Sequence, residues 1–152
     1  MGPHGLSPLS WRKVTALAAL LFAAGQRPAP AQQRQATADI KPSDVAGTWE
    51  GKAMLGPRDS VVATYQLTAT ATRAGWTLKL PNRPPLPARI IAMGGDSIVT
   101  EVGPFESILR RGEMVTTRTT GHYRGDTMSG TIEARYASGD TLHEKTTATR
   151  KR

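Results

Sequence analysis

The residues of this chain that could do chemistry are few, and they do not form a familiar catalytic group. Of the three histidines in 152 residues, only His122 and His143 lie beyond the N-terminal segment. Their positions do not give the His-x-His or His-x-x-x-His spacing that indicates a metal site. There is no Gly-x-Ser-x-Gly sequence, and no natural carboxylate pair can be drawn from Glu50, Glu101 and Glu144. The sequence therefore predicts a protein that is not an enzyme and that holds no metal or other cofactor.

Glu144 is the carboxylate with the strongest case for a role in binding. Residues 141–150 are predicted to form the last strand of the chain. On one face of this strand Glu144 alternates with Leu142, Thr146, Ala148 and Arg150. A carboxylate inside a small barrel is costly unless it is paired or hydrated, so Glu144 could orient the polar end of a bound molecule. Two other interpretations stay open: Glu144 could lie near the rim, or a shift of one residue could place His143 inside instead.

Aromatic side chains at predicted inward positions complete the candidate ligand-binding residues. These are Tyr65, Trp76, Tyr123 and Tyr136, which join Glu144. A lining of small and aromatic residues leaves room for a cavity, and it also describes an ordinary filled core.

The elements that must position these residues are short strands. From Gly47 to Thr149, segments of alternating apolar and polar residues are separated by Gly/Asp turns. In the clearest segment, Val61, Ala63 and every second residue onward to Ala71 are predicted to point inward. Strands with no helix between them predict an all-β fold, an antiparallel up-and-down meander of about eight strands in a closed or nearly closed small barrel. A barrel of this size is filled by side chains or holds one small ligand.

Prolines and glycines mark the predicted interruptions. Residues 81–87 include four prolines and are expected to form a stiff loop over one end of the barrel, outside the sheet. Gly103–Pro104 is expected to end pairing, with a separate strand over 105–110.

Three turns share a Gly-Asp-Ser/Thr sequence, at 95–97, 125–127 and 139–141. Calcium binding needs several oxygen ligands from one loop, and each turn offers one Asp. Hairpin turns are favoured, because Gly supplies a positive φ and Asp can bond to its own backbone.

The N-terminal residues have the pattern of an export signal. Arg12 and Lys13 precede an apolar run of 11 residues, 14–24, and the small residues of 29–31 predict cleavage before Gln32. A helix of that run, at about 1.5 Å per residue, is far too short for a hydrocarbon core of about 30 Å. The protein is therefore predicted to be exported to the periplasm or the extracellular space, with no transmembrane segment in the mature chain.

The predicted organisation is a signal peptide over 1–31, a disordered lead-in over 32–44 and a β-barrel domain over 45–152. The lead-in is polar and lacks periodicity. The chain contains no cysteine, so the stability of the domain must come from burial and not from disulfides.

The formal charge of +8 is concentrated at the ends of the chain. Between Ala46 and Thr149 there are 12 Lys and Arg against 10 Asp and Glu. A nucleic-acid-binding face would group positive charge with aromatic residues, whereas here both signs alternate, so no nucleic-acid partner is expected. The basic tail 150–152 could attract anionic envelope polymers or be simply solvated, and an envelope or protein partner stays open.

Beyond these patterns, the chain resembles the lipocalin-like (calycin-type) barrels, and more closely the compact bacterial secreted ones. Gly47, Thr48 and Trp49 open the first strand after a short lead-in turn at 42–45, and Arg150 is the late basic residue. The resemblance implies that Arg150 packs across Trp49 and closes the barrel, a cation–π contact of about 0.5–2 kcal/mol. Avidin-like barrels, which also begin with Gly-Thr-Trp, are the nearest alternative. The resemblance implies no particular ligand.

The predicted function is that of an exported lipocalin-like barrel that binds a small, partly apolar ligand in its interior or mouth. The alternative is a non-catalytic structural or interaction module of the cell envelope with a filled core.

Overall fold

The computed structural model describes residues 38–152, and from Gly47 onward they form one β-barrel. The strands are β1 (Gly47–Leu55), β2 (Ser60–Ala69), β3 (Trp76–Lys79), β4 (Leu86–Gly94), β5 (Ser97–Glu106), β6 (Met114–Arg124), β7 (Thr127–Tyr136) and β8 (Thr141–Arg150). Each strand pairs antiparallel with the next, and β8 pairs with β1 to close the barrel. The predicted all-β meander is confirmed. The predicted signal peptide, 1–31, lies outside the described residues.

The two ends of the barrel carry different connections. At one end β1 begins, β8 ends, and the β2–β3, β4–β5 and β6–β7 turns lie; we call this the closed end. At the other end lie the β1–β2, β3–β4, β5–β6 and β7–β8 connections, and we call it the open end.

Alternation along β7 and β8 decides which side chains face the interior. In β7 the buried residues are Met128, Ile132, Ala134 and Tyr136. In β8 the buried residues are Glu144, Thr146 and Ala148, whereas His143 and Lys145 between them are exposed. This is the period of two expected for strands with one wet face.

A bulge changes the inner face at the start of β2. The register shifts between Ala53 and Met54, so that Ala53 pairs with Ala63 while Met54 pairs with Val61. The extra residue changes the phase of the alternation. Val61, which was predicted to point inward, is 53% exposed.

Pairing continues past Gly103–Pro104, contrary to the prediction. A register shift between Val102 and Phe105 accommodates these two residues, and β5 runs on to Glu106. A bulge bends a strand without ending it. The separate strand predicted over 105–110 is therefore wrong, and the loop to β6 follows Glu106 instead.

The proline-rich segment is only partly outside the sheet. Residues 81–85 connect β3 to β4 at the open end, but β4 begins at Leu86, and Pro87 is in register with Thr77. The prediction that all of 81–87 stays outside the sheet is wrong for its last two residues. Proline lacks only the N–H donor and is tolerated where a strand begins.

The segment before β1 packs against the closed end. A disordered lead-in was predicted over 32–44, but the Ile40 N–H donates to the Gly95 carbonyl at 2.8 Å, and the Asp39 carboxylate accepts from the Gly95 N–H at 2.8 Å. A 3₁₀ turn, Pro42–Asp44, leads into the barrel. From Asp39 onward the segment is thus fixed to the domain, and the rest of the predicted lead-in up to residue 37 lies outside the described residues.

Trp49 and Arg150 join the first and last strands at the closed end. Trp49 is fully buried, and the guanidinium carbon of Arg150 lies 4.8 Å from its ring centroid. Arg150 donates to the carbonyls of Asp44 at 2.7 Å and Ala46 at 3.1 Å. Gly47, beside the aliphatic part of Arg150, has a φ of +136°, a backbone conformation that favours glycine.

The three Gly-Asp turns have hairpin geometry. Gly95, Gly125 and Gly139 have φ values of 57°, 60° and 97°. Glycine adopts this left-handed conformation without the steric cost that other residues have.

Candidate functional site

A cavity of about 80 Å³ lies inside the barrel and extends to the open end. At its deep end, toward the closed end of the barrel, it is lined by Leu67, Ile98, Gly121, Tyr123 and Met128. Toward the open end it is lined by Leu80, Phe105, Ser107, Ile108, Leu109 and Tyr136. The cavity is therefore a narrow pocket whose mouth lies among the loops of the open end.

A row of paired residues crosses the middle of this pocket. Thr100 of β5 pairs with Thr119 of β6, Thr119 pairs with Ile132 of β7, and Ile132 pairs with Glu144 of β8. All four line the cavity. The strand register thus places two hydroxyls and one carboxyl group in one cross-strand row on the wall of a mainly apolar pocket.

Glu144 is buried in this row, with 8% of its surface exposed. Among the described residues it makes no hydrogen bond and no ion pair, and no Lys, Arg or His of that range lines the cavity. Burial raises the pKa of Glu144, because removal from water disfavours the charged form. The open question of register is answered by His143, which is exposed on the outer face while Glu144 points inward.

Tyr65 and Tyr123 give the interior of the pocket phenol groups, and Tyr136 lies at its mouth. The Tyr65 hydroxyl is 2.6 Å from the Thr146 hydroxyl, which donates to the Lys52 carbonyl at 3.0 Å. Tyr123 packs edge-on against Trp49, with ring centroids 5.1 Å apart. Burial raises the pKa of Tyr123 and of Tyr65, and the nearby Tyr65 adds to the shift at Tyr123. Both phenols are therefore neutral groups at physiological pH.

The β5–β6 loop, residues 107–113, forms one side of the mouth. Its shape depends on Ser107, whose buried hydroxyl accepts from the N–H groups of Leu109 at 3.1 Å and Arg110 at 3.0 Å. Ile108 and Leu109 are each 39% exposed although they line the cavity. The loop thus presents apolar side chains to both the pocket and the solvent.

Arg110 connects this loop to the β7–β8 turn. Its guanidinium is 2.8 Å from the Asp140 carboxylate and 3.5 Å from that of Glu113. It also lies 4.1 Å from the ring centroid of Tyr136, which lines the mouth. These contacts hold one side of the mouth in place.

Four of the five residues predicted to bind a ligand line the cavity, namely Tyr65, Tyr123, Tyr136 and Glu144. Trp76 does not. It is 1% exposed in the core near the closed end, and its indole N–H donates to the Thr72 carbonyl at 2.8 Å. The strand pattern placed Trp76 on the inner face, but it did not show that the core is filled at that level.

Sequence reasoning missed the threonines of β6 and the β5–β6 loop. Thr117 and Thr119 line the cavity between Val115 and Tyr123, with which they share a period of two. This period is visible in the sequence and could have identified both threonines as inward-facing. The loop residues carry no comparable signal, because their position depends on contacts with other elements.

The described residues contain no group of three His, Asp or Glu placed to hold a metal ion. His122 and His143 are both exposed on the outer face. From residue 38 onward, no helix has the length and apolar character needed to cross a membrane.

Comparison of the chain with protein-family models, with curated proteins and with solved structures found no match. The closed eight-stranded antiparallel barrel is consistent with a calycin-like fold. Membership of the lipocalin or avidin families therefore stays a resemblance based on the residues quoted above.

Proposed function

We propose that this barrel binds a small, partly apolar molecule in its interior or mouth. The observation that carries the proposal is the pocket itself, which runs from Tyr123 to the loops of the open end and contains one buried carboxyl group, that of Glu144. Binding pockets in proteins are typically apolar with a few polar groups that fix orientation.

The size of the pocket limits the ligand. A cavity can hold one water molecule when the volume open to the centre of that molecule is roughly 10–15 Å³. Pockets for drug-sized ligands measure roughly 300–1,000 Å³. At about 80 Å³, this cavity suits a slender molecule such as a short unbranched chain.

A second candidate function is an interaction module of the cell envelope. It is favoured by exposed apolar side chains at the open end: Ile108 and Leu109 at 39% and Met114 at 43%. The cavity argues against an interaction module whose core is filled by side chains. Binding inside the barrel accounts for both the cavity and the exposed apolar side chains, because apolar side chains at the mouth can contact an apolar ligand.

The proposal is for binding without catalysis. Among the described residues, Glu144 has no hydrogen-bonded base or nucleophile beside it.

The proposal also places the protein outside the cytoplasm. Export is supported by the sequence pattern of residues 1–31, and N-terminal sequencing of the secreted protein should find Gln32 first.

Blocking the pocket tests the proposal. Thr119 lines the cavity, and Thr120, next to it on β6, faces outward. We expect 1-butanol and 1-pentanol to cause saturable NMR shifts around Thr117 and Tyr123. Thr119→Phe should abolish these shifts, and Thr120→Phe should preserve them. Equal binding by both folded variants, or no saturable shift with either probe in the unmodified protein, would overturn the proposal.

A further inference from the structure

We propose that the polar end of the ligand is a protonated amine and that Glu144 is its counterion. This inference rests on the proposed function, because it assigns the ligand class of the same pocket.

Glu144 differs from the other carboxylates of the described residues in its lack of a hydrogen-bond or ion-pair partner. The chain has 12 Asp and Glu residues, and all lie within the described range. Within residues 38–152, every one except Glu144 has a hydrogen-bond or ion-pair partner: Asp39, Asp44, Glu50, Asp59, Asp96, Glu101, Glu106, Glu113, Asp126, Glu133 and Asp140. The one carboxylate in this range without such a partner also belongs to the one buried acidic residue, whereas buried polar groups ordinarily have a hydrogen-bond partner.

The position of Glu144 makes it available to a ligand. It is more than nine-tenths buried, yet it lines the cavity and not a packed part of the core. An ammonium group placed in the pocket could therefore form the charge-assisted hydrogen bond that Glu144 lacks. This bond would offset part of the cost of placing a carboxylate in a mainly apolar pocket.

The other groups of the pocket favour a cation over an anion. Within the described range, no Lys, Arg or His lines the cavity to receive a carboxylate or phosphate. An anion would instead meet an uncompensated carboxylate. The rings of Tyr65 and Tyr123 line the same space, and the faces of aromatic rings attract cations. An apolar tail on the amine would extend along Leu67, Ile98 or the mouth.

A matched series of small probes tests the assignment. We would titrate n-butylamine, 1-butanol and butyrate at pH 7, by NMR or calorimetry, into the unmodified protein, Glu144→Gln and the outer-face control Glu50→Gln. We expect the amine to bind about tenfold tighter than the alcohol, as for a hydrogen bond to a charged group. Butyrate should bind weakest. Glu144→Gln should remove the preference for the amine, and Glu50→Gln should keep it.

The pH dependence gives a second readout in the unmodified protein. Lowering the pH protonates Glu144, so affinity for the amine should fall while affinity for the alcohol stays constant. The other ionisable side chains that line the cavity are Tyr65 of β2, Tyr123 of β6 and Tyr136 of β7. Burial raises the pKa of Tyr65 and of Tyr123, so neither phenol changes its charge as the pH is lowered from 7.

The outcomes separate the two proposals. Equal affinity for amine and alcohol, or a preference for the amine that survives in Glu144→Gln, overturns the amine assignment and leaves the binding function standing. Binding of none of the three probes to the unmodified protein overturns both.

Discussion

The ring of Tyr65 lies across Gly51, its direct partner in the pairing of β1 with β2. A methyl group at position 51 would overlap the ring. From this position the Tyr65 hydroxyl reaches Thr146 on β8, at 2.6 Å. The absence of a side chain at Gly51 therefore lets one tyrosine connect three strands and form part of the cavity lining.

Gly51→Ala should destabilise the protein. The added methyl group must displace Tyr65, which breaks its hydrogen bond to Thr146 and introduces strain of about 1–3 kcal/mol. Urea unfolding measures the loss. Gly94→Ala is the matched control in β4, because a methyl group there meets no atom within 4 Å. Equal stability of the two variants would show that Tyr65 moves without cost.

Arg150→Lys should also destabilise the barrel although it keeps the charge. Lysine cannot reproduce the planar group that packs on Trp49 while donating to the carbonyls of Asp44 and Ala46. We expect a loss of about 1–2 kcal/mol in the free energy of unfolding, with a change in Trp fluorescence. Arg152→Lys, whose side chain is 91% exposed, should have little effect. A similar loss in both variants would contradict a closing role for Arg150.

Much of this fold follows from the sequence because the period of two is visible in most strands. In β7 and β8 the inner face is the one that alternation predicts. Bulges are harder to predict, because one extra residue costs little and leaves the composition of a strand unchanged. Val61 and the continuation of β5 past Gly103–Pro104 were missed for that reason.

Part of the candidate site could be predicted because its strand residues also follow the period of two. Alternation gave the face that carries Glu144, but the choice between Glu144 and His143 needed the register with β7. Trp76 has the right periodicity and lies beyond the cavity, because filling of the core at each level depends on side chains from several strands. The 107–113 loop depends on Ser107 hydrogen bonds that no sequence period encodes.

The stability of the protein should fall as the pH rises through the range in which Glu144 ionises. The pKa of Glu144 is raised in the folded state by burial, so the folded protein holds this proton more tightly than the unfolded chain. Its contribution to stability is therefore present below the unfolded pKa, about 4.3, and is lost as the pH rises through the folded pKa.

Glu144→Gln removes this titration, so its stability relative to the unmodified protein should increase as the pH rises from 4 to 8. Urea unfolding across that range measures the difference. Glu50→Gln, on the outer face, serves as the control for loss of a surface charge. A constant difference between Glu144→Gln and the unmodified protein would show that Glu144 is not desolvated.

The carboxylate of Asp96 should titrate below its ordinary range because of His122. Oδ1 of Asp96 is 2.9 Å from Nδ1 of His122, and this hydrogen bond is the main cause that lowers the pKa of Asp96, with the charges of His122 and Arg124 adding to it. His122→Phe should therefore raise the Asp96 pKa, as followed by the ¹³C shift of its carboxyl carbon. His143→Phe, at the other exposed histidine, should leave it unchanged. The interaction favours the folded state above the unfolded pKa of Asp96, about 3.9, and is lost as the pH falls through the lower folded value. An Asp96 titration that is the same in both variants would assign the shift to Arg124 instead.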